Sequence, residues 1–169
     1  MKKIKLHPFK SIRVYFAISI FVLLIDQLVK RLIENGVIKI SYIYNEGAAM
    51  GLFRGLDPSI RIPFFFVSSV LAILIILYYL FTLPLDEKWN MFGLSLIMGG
   101  AFGNLLDRVL YGKVLDFIET GIWPIFNLAD SAISTGVAIL IFKTVFPGKK
   151  SAKEPKVAPD IKKDGEKFK

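Results

Sequence analysis

Residues 99–131 read GGAFGNLLDRVLYGKVLDFIETGIWPIFNLADS. The stretch opens as an apolar helix rich in small residues and closes by starting a second apolar helix. Between the two it places Asn104, Asp107, Arg108, Asp116, Asn127 and Asp130. The surrounding chain is compatible with hydrocarbon, where acids and amides are costly and mark functional positions. The density of polar groups in this one stretch is therefore the feature around which the rest is organised.

Outward from it, the apolar runs predict an all-α membrane protein with four transmembrane helices. The spans fall at about 14–33, 62–83, 91–110 and 128–146, each close to the roughly 20 residues that cross a bilayer core. The first could pass for a cleavable signal peptide, with its basic start and apolar run. No small-residue cleavage site follows it, however, and it carries Asp26 and Lys30. An even number of spans puts both termini on one side, and the basic ends place that side in the cytoplasm. The connections at 34–61 and 111–127 then face outward, and both carry polar motifs. In the first, 37–45 (VIKISYIYN) alternates like a half-buried strand, and in the second 114–118 (VLDFI) is strand-like. A small extracytoplasmic β-rich element resting on the membrane is expected from them, with Trp123 at the interface. Residues 1–148 read as a single domain, and 149–169 as a disordered, basic cytoplasmic tail.

Composition narrows the chemistry. The 169 residues are 54% hydrophobic, and the mean hydropathy is +0.55, too apolar for an ordinary soluble domain. There is no cysteine and a single histidine, His7. Disulfides, thiol nucleophiles and cysteine-based metal sites are excluded, and a Ser–His triad or a histidine-rich zinc site is disfavoured. No metal and no cofactor is expected. The net charge of +8 is concentrated at the two ends, where lysines fit anionic lipid headgroups. Membrane lipids, and no nucleic acid, are the expected partners of that charge, and the chain is expected to act as a monomer.

Carboxylates remain as catalysts. Asp26 and Lys30 are four residues apart on one helix face and read as a buried structural ion pair. Ser95, Gly99 and Gly103 continue at steps of four to Asp107, a stripe that admits close helix approach. Asn104, Asp107 and Arg108 are expected on one side of the third helix near its outer end, where Arg108 can hold a carboxylate or a carbonyl. Asp130 alone reads as a helix cap. Antiparallel neighbouring helices place Asp116 and Asp130 at the same depth. Two close carboxylates do not readily both ionise, so one accepts a proton from attacking water while the other donates to a carbonyl oxygen. An ion-conducting transporter is the rival class, but its ionisable groups would be spread through the membrane depth, whereas these gather at one boundary.

These motifs resemble one family. Asp26-x-x-x-Lys30, Asn45-x-Gly47-Ala48-Ala49, GNLLDR with GKVLDF, and FNLADS occur in that order, as in the bacterial lipoprotein signal peptidases (signal peptidase II). The resemblance covers about 26–131. It implies a membrane-embedded aspartyl endopeptidase of the cytoplasmic (inner) membrane with its active site near the outer face. It assigns the catalytic pair to Asp116 and Asp130, and supporting or substrate-binding roles to Asn45, Gly47, Asn104, Asp107, Arg108, Asn127 and Ala129. The implied partner is a prolipoprotein signal peptide, cut before a diacylglyceryl-modified cysteine. One departure is Met50, where the family usually has an aromatic residue after the paired alanines.

Overall fold

The computed structural model describes residues 6–47, 53 and 55–146. Ala48, Ala49 and Met50, and the whole expected tail, lie outside the described residues. The elements are α1 (Phe9–Glu34), β1 (Ile43–Asn45), α2 (Pro58–Thr82), α3 (Lys88–Tyr111), β2 (Val114–Asp116) and α4 (Leu128–Val145). Each expected span coincides with a helix, those at 62–83 and 128–146 running one residue past the ends of α2 and α4. α1, α2 and α4 are long and apolar enough to cross a membrane. α3 has 24 residues but carries Lys88, Asn90, Asn104, Asp107 and Arg108, so among the described residues composition alone marks three spans rather than the four expected.

Local chemistry sets the helix ends. α1 starts directly after Pro8 and stops at Asn35 and Gly36, the glycine at φ 70°, a left-handed value that suits residues without a Cβ. Asp57 caps α2 by accepting the Ser59 N–H at 2.8 Å, with Pro58 in the first turn. The same helix ends at Leu83, which adopts extended geometry before Pro84. α3 terminates on Gly112 at φ 68°. α4 begins with a reciprocal cap: the Asn127 side chain accepts the Asp130 N–H at 2.9 Å, and Asp130 accepts the Asn127 N–H at 3.4 Å. Asp130 is thus not the cap itself, as its position suggested, but the third helical residue that completes it.

α3 is the central helix and packs against α1, α2 and α4. Its small residues make this possible. A Cβ at Gly99 would lie 2.6 Å from the Ser19 carbonyl oxygen of α1, and one at Gly103 would lie 2.8 Å from Asp26 Oδ2. A Cβ at Gly93 would lie 3.0 Å from the Gly136 carbonyl oxygen of α4, and one at Gly100 would collide with that of Ala129. The stripe of Ser95, Gly99 and Gly103 thus packs closely on α1 as its spacing implied, and two further glycines, Gly93 and Gly100, admit α4. At the end where α1 and α3 begin and α2 finishes, Ile12, Ile76, Leu80, Met91, Leu94 and Met98 form the apolar core. Polar groups collect at the opposite end.

There β1 and β2 pair antiparallel, with Ile43 opposite Asp116, Tyr44 opposite Leu115 and Asn45 opposite Val114. The expected strand at 37–45 is reduced to its last three residues. The Val37 and Ile38 N–H groups both donate to the Leu32 carbonyl at the end of α1, which takes them away from any ladder. β2 likewise stops at Asp116, because the Phe117 and Ile118 N–H groups turn to the Phe126 carbonyl.

Candidate active site

Asp116 ends β2 and is 1% exposed. Its two oxygens are held by amides from different parts of the chain: Asn127 Nδ2 donates to Oδ1 at 2.6 Å, and Asn45 Nδ2 donates to Oδ2 at 2.9 Å. The Asn45 amide is itself oriented, since its Oδ1 accepts the Gly47 N–H at 2.9 Å. Asn127 Nδ2 also donates to Asn104 Oδ1 at 3.2 Å, and Asn104 Nδ2 donates to Asp130 Oδ1 at 2.7 Å. The two asparagines thus link Asp116 to Asp130 in one hydrogen-bonded chain. Asp130 is half-buried.

Both carboxylates line one cavity of about 290 Å³. Asn45, Asn104 and Arg108 supply its other polar wall, and residues 123–126 and Ile133 supply its apolar wall. Burial pushes the Asp116 carboxyl up to about 6; the neighbouring Asp130 charge pushes the same way, and the amides of Asn45 and Asn127 oppose both. Arg108 Nη2 donates to the Gly47 carbonyl and Nη1 to that of Asn104, both at 3.2 Å, while the guanidinium lies 4.8 Å from the Phe65 ring centre. The arginine ties the outer loop to α3 beside the carboxylates.

Behind the cavity lies a second polar group. Lys30 Nζ is 2.7 Å from Asp26 Oδ2 and 2.7 Å from Asp107 Oδ2, all three side chains being buried. The expected Asp26–Lys30 pair is present, and Lys30 bridges a second carboxylate that spacing did not assign to it. Asp107 does not share the side of Asn104 and Arg108. At three and four residues from Asn104, the two side chains diverge around the helix by roughly 100°, so Asp107 meets α1 and Arg108 meets the cavity. Gln27 Nε2 joins this group, donating to Asp107 Oδ1 at 2.8 Å. Sequence reasoning passed over Gln27, although it directly follows Asp26 in an apolar helix. Asp26 Oδ1 accepts the Ala129 N–H at 3.0 Å, so the group also reaches the first turn of α4. Ala129 is wholly buried there against Gly100 and Gly103, which explains a small side chain at that position. Ser134 and the segment 124–126 also border the cavity and were not singled out from sequence. Ser134 lies one turn beyond Asp130, a spacing that could have flagged it.

Fold and site together define a multi-pass helical membrane protein with a paired-carboxylate cavity at one end of its bundle. A family model described as signal peptidase (SPase) II matches residues 18–146. The chain belongs to the signal peptidase II family, a family of peptidases. It is 36% identical over 152 residues to a lipoprotein signal peptidase of Francisella tularensis subsp. novicida, covering 81% of this chain and 94% of that one. A lipoprotein signal peptidase of Moorella thermoacetica is also 36% identical, over 153 residues, with 83% and 99% covered. A solved structure described as a bacterial membrane enzyme, obtained by the in meso method at 2.3 Å resolution, superposes with a TM-score of 0.69 at 30% identity, covering 86% of this chain and 94% of that one.

Proposed function

We propose that this chain is an aspartyl endopeptidase that removes signal peptides from prolipoproteins, cutting before a diacylglyceryl-modified cysteine. The observation that carries the reading is the Asp116–Asn127–Asn104–Asp130 hydrogen-bonded chain, both ends of which, with Asn104, line one cavity. Asp116 and Asp130 share one proton. The ionised member takes a proton from water as it attacks the scissile carbonyl, and the protonated member donates to the carbonyl oxygen. The asparagines hold both carboxyl groups at fixed orientation, so little reorganisation accompanies the reaction. Asn45, Gly47 and Arg108 place the scissile segment from the loop side. Asp26, Lys30, Asp107 and Ala129 hold α1, α3 and α4 in register behind it. No cofactor or metal enters this mechanism.

In this reading α3 is the fourth span. Asn104, Asp107 and Arg108 face neighbouring helices and the cavity, and Lys88 and Asn90 sit in its first turn, so its composition understates its fit to the bilayer. The protein acts as a monomer in the bacterial inner membrane, with both termini cytoplasmic and the cavity at the outer face. Residues 149–169 form a disordered basic tail.

The test is turnover of a lipidated prolipoprotein peptide by matched, folded detergent preparations. Asp116→Asn and Asp130→Asn should each lower turnover by at least about 10³-fold, and the double variant should be little worse, since residues acting as one unit are strongly non-additive. Near-normal cleavage by either single variant removes that residue from the mechanism.

A further inference from the structure

The β1–β2 ribbon has two different faces. In its register Tyr44 stands opposite Leu115, and Asn45 opposite Val114. Side chains alternate along a strand, so Asn45, Val114 and Asp116 wall the carboxylate cavity, while Tyr44 and Leu115 wall a small polar space on the other face. That space measures about 10 Å³, room for no more than about one water, so this face is a packed junction rather than a binding site. Tyr44 is its hub. The hydroxyl donates to Glu34 Oε1, at the end of α1, at 3.0 Å, and Lys113 Nζ lies 3.6 Å from the ring centre, within cation–π range. Glu34 is in turn held by Arg31 Nη1 at 3.0 Å. Partial burial, and then the bond to Glu34, push the Tyr44 phenol above its ordinary value, so it stays a donor over the range in which Asp116 titrates.

We propose that Tyr44 is a positioning residue for the reaction: pinned to Glu34 and Lys113 on one face of the ribbon, it holds the Asn45 amide on Asp116 at the other. The inference rests on the peptidase reading above and adds to it what keeps the amide partner of Asp116 in place. β1 is three residues long and belongs to a two-stranded sheet. Such a pair is marginal by itself, so its backbone bonds alone do not fix Asn45. A slip of one residue would turn Asn45 away from the cavity and bring Tyr44 into it. Tyr44 opposes that slip by tying the strand to α1 and to Lys113, just ahead of β2. The Asn45 amide matters because, with that of Asn127, it donates to Asp116 and favours the ionised carboxylate. Among the described residues the charged groups facing Asp116 are Lys30 of α1, Arg108 of α3 and Asp130 of α4. A change at Tyr44 leaves all three in place and acts through Asn45.

The experiment follows kcat/KM for a lipidated prolipoprotein peptide against pH, with the melting temperature in detergent measured alongside. Asn45→Ala should move the alkaline limb up by about one pH unit, the effect of losing one hydrogen bond to a charged carboxylate. Tyr44→Leu should move it the same way. The double variant should move it no further than Asn45→Ala alone, because both changes act on one amide. Tyr44→Phe keeps the ring and loses only the bond to Glu34, so it repeats the cycle with a smaller shift in a protein whose packing is least disturbed. A limb unmoved in both Tyr44 variants while Asn45→Ala moves it, or a double variant displaced by the sum of the single shifts, overturns the inference and leaves the peptidase reading standing, even where the melting temperature falls. A limb unmoved by Asn45→Ala overturns it as well. Failure of the wild-type protein to cleave the peptide overturns the peptidase reading, and this inference with it.

Discussion

In the proposed mechanism a single carboxyl, that of Asp116, couples stability to function. Its folded pKa, about 6, lies above the ordinary value of 3.8. A raised carboxyl pKa stabilises the fold when the group is protonated, and that contribution is lost as pH rises through the folded value. The stability of the wild-type protein relative to Asp116→Asn should therefore fall between pH 4 and pH 8, by roughly 3 kcal/mol at most. Parallel denaturation curves at the two pH values check this, and a pH-independent difference would contradict it. The same sign governs catalysis. Asp116 loses its proton above about pH 6 in the free enzyme, so a mechanism that needs that proton predicts a decline in kcat/KM on that side. The decline in kcat should occur at higher pH, because bound substrate dehydrates the cavity and holds the proton more firmly. A pH–rate profile flat from 5 to 8 would exclude the shared-proton scheme.

At the scale of the elements, the first turn of α4 is held on three sides. Asn127 and Asp130 cap it reciprocally, Asp26 of α1 takes the Ala129 N–H, and Gly100 of α3 touches the Ala129 carbonyl. Gly100→Ala should push this turn outward, destabilising the protein by about 1–3 kcal/mol and lowering turnover together. Gly55→Ala meets nothing within 4 Å and should do neither. Thermal unfolding in detergent alongside turnover separates the two. Asp26→Asn keeps an oxygen for the Ala129 N–H but leaves Lys30 with one carboxylate partner instead of two. Losing a partner of a buried charge costs about 3–5 kcal/mol when nothing replaces it, and Asp107 limits that loss. Lower yield and melting temperature with residual activity are expected. Full stability would show that the Lys30–Asp107 contact suffices.

Across the whole molecule, the apolar core and the polar groups occupy opposite ends of the helix bundle. In the proposed orientation the core end faces the cytoplasm. A cysteine replacing Lys88, at the start of α3, should then be shielded from an impermeant thiol reagent in intact cells, and one replacing Asp57, at the start of α2, should label. The absence of native cysteine makes the assay clean, and the reverse pattern would invert the topology. This test also bears on α3. Lys88 and the loop after Tyr111 lie on opposite faces only if α3 crosses the bilayer.

Much of this arrangement was legible in the chain. Apolar run length placed the four helices, because hydrocarbon tolerates only segments whose backbone groups bond internally. Pro8, Pro84 and Gly112 set helix ends through local backbone preferences and Asp57 through a local side-chain cap, whereas at α4 position alone pointed to Asp130 and the structure gives the cap to Asn127. The polar residues stood out because an unmatched charge in an apolar chain is costly. What tertiary structure alone decided was pairing. The rotation of α3 sends Asp107 to Lys30 and Arg108 to the cavity, although they are adjacent in sequence. Competition for N–H groups shortened the first strand, because the Leu32 carbonyl captured donors that alternation had assigned to a ladder, and beyond Asp116 the chain pairs at Ile118 with Phe126 instead of with β1. Close contacts at Gly99 seat α3 on α1, and those at Gly100 and Gly103 seat it on the first turn of α4 at Ala129. Burial of Asp116, and with it the raised pKa, was likewise decided only in three dimensions, because desolvation depends on how the helices and loops close around a group rather than on the residues beside it in the chain.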